Sequence, residues 1–321
     1  MSGARRVNGY CAAAVAVLVC AAYPVATRAG VTGSFTPQEL VALRFGVGAL
    51  LFMPYLLLCF RTIGREAWLR GVPLTLFQGA GMGALVICGL QFAPASHAAA
   101  LGPGVLPACV VLLGLLLYAR RPSGRALVGA ALCALGVVLL THWSAQEMGA
   151  AVLVGDGMFL GASALGALYL LQLRKWRIGA MQGAAMVSLY SALVVVPWHL
   201  WSAPESLARI APAELLWQVL WQGVLIGCVV LVALNSAVAR LGPERSSALL
   251  ALVPVLTAAL AFLFLSEVPS AVEMSALVMI SAGVSVAAAP GRRAPTPAGR
   301  PLAAPPRSAR TAGYPVRGSA P

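Results

Sequence analysis

Arg44, Gln78, Gln218 and Gln222 are polar side chains set inside long apolar stretches, where each needs a partner or a ligand. A guanidinium two turns into a lipid-crossing helix costs about 2.5 to 3.5 kcal/mol if it faces lipid, so Arg44 is expected to face protein or water. There it can hold an anionic group such as a carboxylate; alternatively it bonds to helix carbonyls or reaches out toward the headgroups. Gln78 and Gln222 occupy matching places in the third and eighth apolar stretches, and Gln218 lies one turn before Gln222 on the same helix face. Such amides either line a cavity and offer donors and acceptors to a polar solute, or bond between helices at about 0.6 kcal/mol each. Tyr23 and Tyr169, also at matching places, join them as candidate cavity residues.

Proton-linked chemistry would need a titratable group, and Asp156, Glu39 and His97 are the candidates, all near the ends of their stretches. Asp156 is expected to pair with Arg44 at similar depth. Pro107 and Pro254 each remove a backbone donor in mid-helix, so both predict kinks that could act in gating. Gly79 with Gly83, and Gly223 with Gly227, are spaced to let helices approach closely. Pro243-Glu244 reads as a helix cap. The three histidines lack neighbouring carboxylates or thiols in sequence, so no metal and no other cofactor is expected. All seven cysteines lie in apolar stretches without CxxC spacing and read as small hydrophobes rather than a disulfide framework.

The elements that must position these groups are transmembrane helices. With 60% apolar and only 10% charged residues, the apolar runs are too long for one aqueous core. Runs near the length of a bilayer-crossing helix, without strand-like alternation, choose helices over a barrel. Spans are expected at Val7 to Thr27, Pro37 to Phe60, Gly71 to Phe92, Ser96 to Ala119 and Gly124 to Trp143. The remaining five are Ala150 to Leu173, Gly179 to Trp201, Ala213 to Ala237, Pro243 to Leu265 and Ala271 to Ala289. If these ten alternate, all of the 22 lysines and arginines except Arg28, Arg44 and Arg209 fall on one face. That bias assigns this face and both termini to the cytoplasm and accounts for the +13 net charge without nucleic acid. The first span is expected to stay uncleaved despite the Arg5-Arg6 pair before it. The stretch 290–321, rich in Pro and Arg, is expected to be a disordered cytoplasmic tail.

A repeat gives this all-α architecture its meaning. Shifting the chain by 147 residues sets Pro107 on Pro254, Pro122-Ser123 on Pro269-Ser270, and Gly136-Val137 on Gly283-Val284. A shift of 144 sets Gln78-Gly79 and Gly83 on Gln222-Gly223 and Gly227, and one of 146 sets Tyr23 on Tyr169 and Arg28 on Arg174. Each unit holds five spans, an odd number, so the second enters the membrane inverted relative to the first. Two inverted halves can pack in two mirror-related ways that expose a central site to either face, the basis of many secondary transporters. Arg120 in one copy meets Glu267 in the other, on opposite expected faces, as the charge rule requires.

With these residues in view, the chain resembles the drug/metabolite transporter superfamily, in its ten-span EamA-type branch. The resemblance rests on Pro37-Gln38-Glu39-Leu40 with Arg44-Phe45, Pro107 and Pro254, Ser266-Glu267, Gly136 and Gly283, Gly155-Asp156, and Gly242-Pro243-Glu244-Arg245-Ser246. It covers nearly everything but the tail. It departs from the family at Arg120, where members usually carry Glu. The resemblance implies two EamA-like repeats, 7–143 and 150–289, with a short N-terminus 1–6 and an external linker 144–149. It also implies export of small metabolites such as amino acids, or of drug-like compounds, with the lipid bilayer as surroundings and pairing of two copies left open.

Rival readings are weaker. The only lysine, Lys175, follows Arg174 rather than a glycine, so no phosphate-cradling loop is present for an ATP-driven pump. Gly161-Ala162-Ser163-Ala164 is similar to the serine motif of rhomboid-like intramembrane proteases but lacks its following glycine, and His142 and His199 lie near span ends. The chain is therefore not expected to be an enzyme. A non-transporting scaffold or receptor remains the other alternative.

Overall fold

A computed structural model describes residues 3–119, 122–203, 205–241 and 249–288. Arg120, Arg121, the Pro243-Glu244 cap, Arg245 and the tail 290–321 lie outside them. Among the described residues all regular structure is helical. The helices are α1 (Gly3–Val31), α2 (Pro37–Cys59), α3 (Arg65–Gln78), α4 (Ala80–Phe92), α5 (Ala95–Ala99), α6 (Leu106–Tyr118) and α7 (Gly124–Met148). After these come α8 (Ala151–Trp176), α9 (Ala180–Ser202), α10 (Pro212–Gln218), α11 (Val230–Leu241), α12 (Val253–Leu265) and α13 (Ala271–Ala288). Wider π turns over Ala100–Gly104 and Val219–Val229 join α5 toward α6 and α10 to α11.

Eight of the resulting stretches are long and apolar enough to cross a membrane, and Val253–Leu265 and Ala271–Ala287 are shorter apolar helices. The protein is thus a multi-pass membrane protein by helix length and composition. α7 runs on to Met148, where Gly149 at φ 83° ends it and α8 starts two residues later. The linker expected at 144–149 is therefore mostly helix, because only the glycine adopts the left-handed backbone that stops it.

Local chemistry sets the other boundaries. Thr36 and Glu39 form a reciprocal capping box at the start of α2: the Glu39 amide donates to Thr36 Oγ1 and the Thr36 amide to Glu39 Oε2. Ser270 and Glu273 repeat that arrangement at the start of α13. Ala119 and Ser266, 147 positions apart, both end their helices in the left-handed conformation, at φ 50° and 55°.

Helix packing carries the repeat into three dimensions. The most extensive pairs are α7 with α13, α2 with α9, α1 with α11, and α4 with α8. Exchanging the first five of the spans expected from sequence for the last five maps the first two pairs onto themselves and swaps the other two. The α7–α13 crossing is built on the same exchange. A Cβ on Gly136 would meet Ile280 at 2.7 Å, and one on Gly283 would meet Cys133 at 2.7 Å, with Cys133 and Ile280 themselves 147 residues apart. Glycine is needed at both because the helix backbones meet there.

Candidate functional site

Four of the ten expected spans are interrupted, and they are the repeat-related third and eighth and fourth and ninth. In the third, α3 stops at Gln78 and α4 begins at Ala80. A Cβ on the intervening Gly79 would lie 2.3 Å from the Thr75 carbonyl, and the Ala80 amide is taken up by Ser191 Oγ at 3.1 Å. In the eighth, the π stretch spans Gln222-Gly223. In the fourth and ninth, Pro107 and Pro254 are the second residues of α6 and α12. The expected mid-helix kinks are therefore helix starts, where proline's missing N–H would have no intrahelical acceptor and costs nothing. Gly102-Pro103-Gly104 in the π turn, rather than Pro107, marks the break in the fourth span.

A cavity of about 360 Å³ lies against the interruptions of the third, fourth and eighth spans. Tyr23, Arg44, Gln78, Ser163 and Tyr169 supply its polar groups, and the rest of its lining includes Cys20, Pro24, Met82, Val86, Leu106 and Ile226. Irregular backbone at membrane depth is tolerated where it lines such a space or is satisfied by protein. Ser163 does the latter, donating its hydroxyl to the carbonyls of Leu101, at 2.6 Å, and Gly102. That hydroxyl serves backbone at the π turn.

Arg44 is half-buried, with Nη1 donating to Tyr23 Oη at 2.5 Å and the guanidinium 5.3 Å from the Tyr23 ring and 5.7 Å from the Phe45 ring. The expected pairing with Asp156 does not occur. Among the described residues no carboxylate forms an ion pair with Arg44. Tyr23 and Tyr169 both line the cavity, but the amides divide. Gln78 lines it, whereas Gln218 and Gln222 are buried against α1. Gln218 Nε2 donates to the Ala26 carbonyl at 2.8 Å, and Gln222 Nε2 donates to Thr27 Oγ1 at 3.0 Å and Gln218 Oε1 at 3.3 Å. Gln222 lies on a face turned to α1 because Gly223 and Gly227 on its stretch approach α2 at Val47 and Gly48.

The titratable candidates also separate. Glu39 is committed to its capping box. Asp156 meets His97 instead of Arg44, Oδ1 to Nδ1 at 2.7 Å, and the far side of the ring faces Glu273 and Ser144. Neither Glu273 nor Ser144 is marked by sequence, since each stands on a different helix many residues from His97.

A second cluster was not legible either. Arg28 at the end of α1 pairs with Glu267 and donates to the carbonyls of Leu90 and Ala93, while Glu267 Oε2 accepts from the Ala95 amide at 3.1 Å. It ties α1, α4, α5 and the segment after α12 together at one end of the bundle. All seven cysteines are free.

The family described as the EamA-like transporter family matches this chain twice, over residues 7–142 and 153–289, and the chain belongs to it. One solved structure, titled only as the crystal structure of a protein, is 21% identical, with a TM-score of 0.59 over 89% of this chain and 97% of its own. At that identity it shows the fold alone. No curated protein matches the chain.

Proposed function

We propose, from this membership of the EamA-like transporter family, that the chain is a ten-span inner-membrane exporter with both termini in the cytoplasm. Its substrates are small metabolites such as amino acids, or drug-like compounds, and it works by alternating access between two inverted five-helix halves. The carrying observation is Arg44: a guanidinium on a largely apolar cavity, partnered by a phenol rather than a carboxylate. An unneutralised cation in such surroundings favours a ligand that brings an anionic group with an apolar body. Tyr23 orients the guanidinium, Gln78 offers amide contacts, and Tyr169 adds a further polar group to the lining. The interruptions before α6 and α12 are the places where the halves can flex, because few intrahelical bonds must break there.

The test is an efflux and resistance screen of overexpressing cells against amino acids, their toxic analogues and lipophilic cations. Carboxylate-bearing compounds should be exported, and Arg44→Gln at normal protein level should abolish the phenotype. Export restricted to lipophilic cations, or kinetics unchanged in Arg44→Gln, would contradict the assignment of Arg44. Absence of flux for every compound would favour the scaffold reading instead.

A further inference from the structure

His97 is fully buried, and each of its ring nitrogens faces an oxygen acceptor. Nδ1 lies 2.7 Å from Asp156 Oδ1, while Nε2 lies 3.5 Å from Glu273 Oε1 and 3.3 Å from Ser144 Oγ. The Ser144 hydroxyl gives its proton to the Leu140 carbonyl at 2.7 Å, so toward His97 it is an acceptor as well. A neutral imidazole carries one N–H and one lone pair. With both carboxylates ionised it would turn that lone pair against oxygen on one side or the other. The geometry is satisfied when the cluster holds one further proton, either as imidazolium or as a carboxylic acid donating to the bare nitrogen.

The cluster spans the two repeats. His97 and Ser144 come from the first half, Asp156 and Glu273 from the second. Asp156 Oδ2 is buried with no hydrogen-bond partner, so loss of the extra proton would leave two carboxylates poorly compensated in apolar surroundings. Glu273 also lines a separate cavity of about 200 Å³ with Ser96, Arg28 and Glu267, which gives a proton a way in from that end of the bundle. The other charged groups packed nearby, Arg28 and Glu267, neutralise each other. The cation that answers Asp156 and Glu273 is therefore the proton on the cluster itself.

We propose that His97, Asp156 and Glu273 form a proton-binding site that holds the two halves together at this end, and that its proton is the coupling ion of transport. Binding adds one proton to a cluster of net charge −2 and gives net charge −1. Release restores the −2 state, which water must reach to stabilise, so release and opening go together. The coupling clause rests on the transporter reading; the existence of the proton site does not.

The experiment needs no substrate. Ser96→Cys places a thiol beside the cluster, and a membrane-impermeant maleimide added outside cells reports opening, with labelling normalised to denatured protein at each pH. Raising external pH from about 6 to about 9 should increase labelling about ten-fold, a one-decade population shift. Adding His97→Gln should flatten that response. Glu273→Gln, which keeps the capping-box geometry and removes the charge, should flatten it too. A parent with no pH response, or a response equal in parent and both variants at normal protein level, would overturn the proton site. Export that persists in the separate efflux screen, beside a flat labelling profile, would overturn the proton site alone and leave the transporter reading standing.

Discussion

The third and eighth spans carry the same Gln-Gly pair and lose α-helical regularity at it, yet they use it differently. In the third, the helix stops outright at Gly79 and Gln78 lines the cavity. In the eighth, the helix widens into a π stretch and Gln222 is spent on Thr27 and Gln218. Duplication preserved the backbone irregularity, while the side chains took different work. The cavity is therefore asymmetric within a symmetric frame, with its cation, Arg44, on the first half.

The sharpest way to break that comparison is at the frame. Gly283→Val puts side-chain atoms where a Cβ alone would lie 2.7 Å from the Gly129 carbonyl, and Gly136→Val does the same against Ile280. Each should cost about 3 kcal/mol, the upper end of overpacking, and cut the yield of folded protein alike. Equal damage from the two sites, read by thermal unfolding in detergent, is the mark of a symmetric crossing; tolerance of either would deny it.

The amides should then separate cleanly. Gln222→Ala removes buried hydrogen bonds and should lower stability by about 1 to 3 kcal/mol with KM unchanged. Gln78→Ala should shift stability by less than about 0.5 kcal/mol and raise KM. The reverse pattern would return Gln222 to the site. Smallest is the cap: Glu39→Ala should cost about 1 kcal/mol, whereas Glu39→Gln, which can still form the capping box, should change neither stability nor the pH profile of flux. A pH profile altered by Glu39→Gln would make Glu39 a proton carrier after all.

Apolar length, charge bias and the 147-residue register made the helices and the repeat legible, because each is a property of the chain read in order. Partner choice was not. Asp156 and Arg44 have opposite charges at similar depth, but His97 meets Asp156 from a helix 59 residues earlier, and nothing in local sequence ranks those partners. Glu273 reads as an ordinary helix-start acid, and only the α7–α13 crossing, with α5 beside it, turns it toward His97. The helix breaks were half legible. Proline drew attention to Pro107, although Gly102-Pro103-Gly104 just before it carries the denser breaker signal.

The central claim is that two five-helix halves of opposite orientation enclose one cavity. Topology reporters fused at residue 1, after Gly149 and after Pro321 test it directly. The account predicts both termini in the cytoplasm and the Gly149 junction outside. Termini on different sides of the membrane would contradict it.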